Sequence, residues 1–257
     1  MMPNYLADPV LFAMGLLGFC PDAIQELVLN PNIWRGILNC TRQWGKSTIM
    51  AIKALHQALV LDGTTVLVLC PTTKQAGEFF EALRTFLHAA AIEPRGDGHN
   101  HPSCRLPNGS RIIGISSLGQ VRSYRNVSLL LVDEAAEVRE KGYNAIKPAL
   151  ATNGEFGGKI WLMSTPQGCQ GFFYEAWADE TGLWTRFTAT ADDCPRISRE
   201  FLAIERRQLG ETLYAQEFMC KFVDPPDCFL NREDVTSAFR SDIPPFWPTM
   251  GSVFHNK

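Results

Sequence analysis

The chain has 257 residues, 46% of them hydrophobic and 20% charged, with a formal net charge of −3. That length can bury one sizeable core, and the slightly negative charge excludes a free-standing, strongly basic nucleic-acid binder while leaving room for a local basic patch. No apolar run approaches membrane-spanning length, and the eight cysteines form no C-x-x-C pair, which reads as buried, reduced thiols rather than a disulfide framework.

In chain order, the apolar stretch "LFAMGLLGF" (11–19) follows Asp8 rather than basic residues and reads as a packing helix, not a leader. "WRGILNC" (34–40) predicts a strand and "KSTIMAIKALHQALVL" (46–61) a helix with apolar positions at helical spacing. "TTVLVLC" (64–70) predicts a strand buried on both faces, and "TKQAGEFFEALRTFLHAAA" (73–91) an amphipathic helix. "RGDGHNHPSCRLPNGS" (95–110) reads as a loop. His99, His101 and Cys104 in it have the spacing of half a zinc site, but no second ligand pair follows. Further strands are predicted at 110–116, 128–133 and 159–165, with helical stretches near 141–151 and 171–179. After a boundary near Ala191–Pro195 come two helical patterns, 198–210 and 211–222, and then an irregular tail. Alternating apolar strands and helices imply an α/β fold with a mostly parallel sheet flanked by helices.

Three motifs carry chemistry. "CTRQWGKST" (40–48) sits between a strand and a helix, where backbone N–H groups and the helix N-terminus favour phosphate. Lys46 would neutralise β- and γ-phosphates, Ser47 would hold Mg²⁺, and Gly45 permits close backbone approach. Cys40 occupies the place of the first glycine, which ordinary backbone angles allow. "LLLVDEAAE" (129–137) delivers Asp133 and Glu134 at a strand's C-terminal edge, suited to Mg²⁺ coordination and to general-base activation of water. "MSTP" (163–166) puts Ser164 and Thr165 at the next strand end, able to report on the γ-phosphate as a coupling motif. With a further strand pattern between the first two motifs, this order fits a RecA-like (ASCE) P-loop NTPase, a motor ATPase rather than a small GTPase.

"CTRQWGKST", "LLLVDEAAEV" and "LMSTPQGCQGFFYEAW", in this order, resemble the ATPase domain of the tailed-phage terminase large subunit over about residues 8 to 235. The resemblance implies ATP and Mg²⁺ as ligands and Thr41, Arg42, Gln43, Trp44, Gly45, Lys46, Ser47 and Thr48 as the nucleotide loop, with Arg42 as a phosphate sensor. It implies that Gln25 reads adenine, and that Arg122 reaches the ATP of a neighbouring subunit, with Arg125 as the rival for that role. The domains it implies are an ATPase core with its adenine-side segment (1–192), a small helical lid and linker (193–240) and a tail (241–257). Arg206 and Arg207 on the lid are candidate coupling or DNA contacts.

The implied function is ATP-driven translocation of double-stranded DNA into a procapsid, in the host cytoplasm and away from any membrane. The implied partners are DNA, the portal protein, the small terminase subunit and further copies of the chain in a ring, with a monomer in isolation as the other state. "LNREDVTSAF" resembles the junction before the family's nuclease domain, and no acidic strand follows it, so no nuclease activity is expected. The alternatives are a superfamily-2-like helicase, which would need a second RecA-like domain, and a non-catalytic nucleotide-binding module.

Overall fold

A computed structural model describes residues 5–95, 102–119, 124–153, 157–224 and 237–238. Met1–Val223 form one compact unit and Asp224–Lys257 a second, and every element named below lies in the first. Arg122, His99, His101 and the tail 241–257 lie outside the described residues.

The helical turn α1 (Pro9–Leu11) continues as a π-helical turn, Phe12–Leu16, and is followed by α2 (Ala23–Leu29). Next come β1 (Arg35–Cys40), α3 (Lys46–Val60), β2 (Thr65–Cys70) and α4 (Thr73–Ala89). Then follow β3 (Ser103–Arg105), β4 (Arg111–Ser116), β5 (Val127–Asp133), α5 (Glu140–Ile146) and a 3₁₀ turn, Lys147–Leu150. β6 (Lys159–Ser164), α6 (Gly171–Ala178), β7 (Thr185–Ala189) and α7 (Arg199–Glu217) complete the unit.

The strands form one sheet in the order β3-β4-β2-β5-β6-β1-β7, parallel throughout except for the β3–β4 pair. Alternate residues of each central strand enter two different cores. Leu38, Val68, Leu131 and Trp161 pack on one face with α3 and α4, whereas Ile37, Leu67, Leu130 and Leu162 pack on the other with Tyr143, Ile146 and Phe173. Every residue of β2 and β5 is buried, the signature of strands covered on both sides. β6 lies between β5 and β1, so the strand ending in Asp133 and the strand leading to Lys46 are separated by the strand that carries Ser164.

Two strands went unpredicted. β7 carries "TRFTA", with mostly exposed side chains, because it pairs on one edge only, against β1. β3 is a three-residue antiparallel strand inside the Gly/Pro-rich tract read as a loop, and its Cys104 is buried. The two predicted C-terminal helices form one run with a break at Gly210 (φ 74°, ψ 168°), which ends at Glu217 rather than 222.

Candidate active site

β1 ends at Cys40 and α3 begins at Lys46, so Thr41–Gly45 make the turn between them. Cys40 is a fully buried strand residue paired with Ala189, and burial pushes its thiol well above the ordinary range. Left-handed backbone occurs later in the turn, at Gln43 (φ 64°) and Gly45 (φ 101°). Only Gly45 needs to be glycine on that account, and Cys40 takes the first-glycine position without strain.

The loop is anchored from below. The Trp44 side chain is fully buried in the core, so this residue offers the site only its backbone. Gln25 is 2% exposed; its Oε1 accepts the Asp22 N–H in a capping box, and its Nε2 donates to the Trp44 carbonyl at 3.4 Å. Gln25 therefore buttresses the loop from beneath and is not among the residues lining the cavity beside it.

That cavity, about 480 Å³, is lined by Thr41, Arg42, Gln43, Gly45–Thr48, Glu134 and Arg196. Across it, Lys46 Nζ lies 2.6 Å from Glu134 Oε1. Burial disfavours the Lys46 charge, but Glu134 and Asp133 help to hold its pKa above the ordinary lysine value. Ser47 Oγ donates to Asp133 Oδ2 at 3.4 Å. Burial, opposed by Lys46 and reinforced by Glu134, lifts the Asp133 carboxyl to about 6.

Glu134 reaches Lys46 because its own backbone is left-handed (φ 48°), an arrangement that costs a non-glycine residue ~1–2 kcal/mol. The strand ends hold it there. Ala135 N donates to the Met163 carbonyl at 3.0 Å and Ala136 N to Ser164 Oγ at 3.2 Å, while Ser164 Oγ donates to Glu134 Oε2 at 3.4 Å. Thr165 Oγ1 donates to the Cys40 carbonyl at 3.0 Å, tying the end of β6 to the start of the loop.

Two neighbours of the loop carried no signal in the sequence. Arg196, in the connection after β7, donates through Nη2 to the Trp44 carbonyl and, at 3.4 Å, to that of Gln43. Glu217, at the end of α7, accepts from Arg42 Nε at 2.8 Å through Oε2, and its carbonyl accepts from Thr41 Oγ1 at 3.0 Å. Neither residue sits in a recognisable motif; both reach the site only through chain reversals that spacing does not encode. Arg206, on the same helix, pairs locally with Glu211 at 2.8 Å. Arg125 lies two residues before β5, at the end of that strand opposite Asp133.

The residues present suit a nucleotide with its metal ion. Lys46 is a buried cation beside open space, and Ser47 and Asp133 form a hard oxygen pair next to it. Among the described residues no group of three or more His, Cys, Asp or Glu side chains could hold a metal unaided, so phosphate oxygens would have to complete the shell.

The large terminase ATPase domain of Thermus phage P74-26 is similar in structure, with a TM-score of 0.68 at 21% identity over 82% of this chain and 97% of that one. The HK97 bacteriophage large terminase gives 0.68 at 14% identity, covering 86% of this chain and 55% of that one. The large terminase of a further thermophilic bacteriophage gives 0.67 at 14% identity, covering 78% of this chain and 53% of that one. This third terminase is also known in complex with ADP and with ATP-γ-S. The chain thus spans about half the length of these last two terminases. No curated protein matches it in sequence. Residues 37–241 match the family described as "Terminase large subunit, T4likevirus-type, N-terminal", and the chain, with its RecA-like fold, belongs to that family.

Proposed function

We propose that this chain is the Mg-ATP-hydrolysing motor domain of a DNA-packaging terminase, coupling hydrolysis to translocation of double-stranded DNA into a procapsid. The observation that carries the reading is the Lys46–Glu134 pair at 2.6 Å across the loop cavity, with Ser47 and Asp133 beside it. A carboxylate occupies the anion position of the phosphate loop, which is the arrangement of a site ready to exchange it for phosphate. The complexes of the third terminase with ADP and ATP-γ-S support adenine nucleotides as its ligands.

Bound Mg-ATP would supply the phosphoanhydride bond whose hydrolysis drives the motor. The loop amides and Lys46 would hold its phosphates, and Ser47 and Asp133 its metal. Released from Lys46, the Glu134 carboxylate would take a proton from the attacking water. Ser164, hydrogen-bonded to both Glu134 and Ala136 of the following turn, would relay a change at that carboxylate to β6. α7 would act as the lid, since its Glu217 already grips Thr41 and Arg42. Portal protein, small terminase subunit and a ring of like chains would be the partners, with Arg122 completing a neighbour's site in the host cytoplasm. Family membership favours this over the helicase-like alternative.

The test is ATP turnover per chain against protein concentration, with Mg²⁺ and linear duplex DNA. A specific rate that climbs with concentration and collapses in Arg122→Ala supports a ring with a trans-acting arginine. A flat rate independent of Arg122 means each chain is self-sufficient, and the ring assignment fails.

A further inference from the structure

Besides Lys46 and Arg42, the site has a further cation that none of its motifs announces. Arg196 lines the same cavity as Lys46 and Glu134, and among the described residues no carboxylate lies within ion-pair distance of it. It is held in place, since Nη2 donates to the carbonyls of Gln43 and Trp44. A guanidinium has five N–H donors. Two are used on the loop, which leaves those of Nη1 and Nε for a ligand.

Sheet topology fixes the side from which it approaches. The loop follows β1; β6 and β5 lie to one side of that strand, and β7 lies to the other. Glu134 comes from the end of β5, whereas Arg196 comes from the chain following β7, so the two enter from opposite flanks of the loop. Glu134, Lys46 and Ser164 cluster on the first flank, where the terminal phosphate would be attacked. A nucleotide lying across the loop with its terminal phosphate on that flank would turn its α-phosphate and ribose towards the other. Gly45 marks the passage: a Cβ there would stand 3.4 Å from Gln25 Nε2 and 3.5 Å from Arg196 Nη2.

Resting on the nucleotide reading of this site, we propose that Arg196 is a nucleotide-binding residue that acts within its own chain on the α-phosphate and ribose end, a part common to ATP and ADP. Its partners on the loop are carbonyls, which cannot neutralise it, so an anion entering the cavity meets an already oriented charge.

The experiment is a calorimetric titration of ADP, ATP-γ-S and inorganic pyrophosphate, each with Mg²⁺, into wild-type protein and the Arg196→Ala, Arg196→Lys and Lys46→Ala variants. The expected result is a loss of about tenfold in affinity for both ADP and ATP-γ-S in Arg196→Ala, the worth of one charge-assisted hydrogen bond. Pyrophosphate, which engages Lys46 and the loop amides, should bind as to wild type, and Arg196→Lys should recover part of the loss. Equal weakening of pyrophosphate would show that Arg196 only shapes the loop and would overturn the proposal. So would a loss confined to ATP-γ-S, or none at all. Wild-type protein that binds none of the three, or binds them equally well without Lys46, overturns the nucleotide reading itself.

Discussion

Lys46 and Glu134 hold each other at 2.6 Å, so the loop cation and the carboxylate opposite are each other's counter-ion. In the proposed function, nucleotide binding would open this pair. Glu134→Gln should therefore retain or modestly improve ATP-γ-S affinity while lowering turnover by about 10²–10⁴-fold, the usual contribution of a positioned general base. Single-turnover hydrolysis alongside equilibrium binding separates the two effects. Parallel loss of both would place Glu134 in binding rather than in chemistry.

Arg42 pairs with Glu217 but stays two-thirds exposed, so the pair contributes little to stability, below about 1 kcal/mol. Its exposed position suits it better to sensing than to holding. Arg42→Ala should leave the melting temperature nearly unchanged and weaken ATP-γ-S binding more than ADP binding, by a few-fold. Equal weakening of the two ligands would remove the phosphate-sensor role.

Trp44 bears on the loop through the core. Its side chain is fully buried, so Trp44→Ala should cost about 3–5 kcal/mol through the cavity it leaves. Denaturant unfolding of the nucleotide-free protein measures this directly. A small cost, with nucleotide affinity lost instead, would mean that the indole belongs to the ligand.

His56 makes stability depend on pH. Burial, opposed by a hydrogen bond with the Leu6 carbonyl and reinforced by Lys53 and Lys159, pushes its pKa down to about 4. An unfolded histidine titrates near ~6.5, so between those values the unfolded chain binds more protons than the folded one. The stability tied to neutral His56 is present above pH ~6.5 and is lost as pH falls through about 4, up to about 3 kcal/mol in all. The difference in unfolding free energy between wild type and His56→Gln should shrink over that window. A difference that does not change with pH would contradict the burial of this ring.

The motif strands were legible because each combines an apolar run with a chemical signature at its end. "LLLVDE" specifies both a doubly covered strand and the carboxylates it delivers. β7 was not legible, since an edge strand paired on one side needs no apolar pattern, and "TRFTA" shows none. Missing β7 hid Arg196, which is sequence-distant from the loop and reaches it only because β7 pairs with β1. Gln25 illustrates the reverse. Its place upstream of the loop is evident from the sequence, but its contacts are not: Asp22, three residues before it, engages its oxygen in a helix cap, and its Nε2 reaches the Trp44 carbonyl.

The central claim is that Lys46 and Glu134 belong to one hydrolytic nucleotide site. Its most direct test is to measure Mg-ATP binding and steady-state hydrolysis side by side for wild type, Lys46→Ala and Glu134→Gln. The account predicts that wild type binds and hydrolyses, Lys46→Ala loses both, and Glu134→Gln binds without turning over. Hydrolysis that persists in both variants would contradict it.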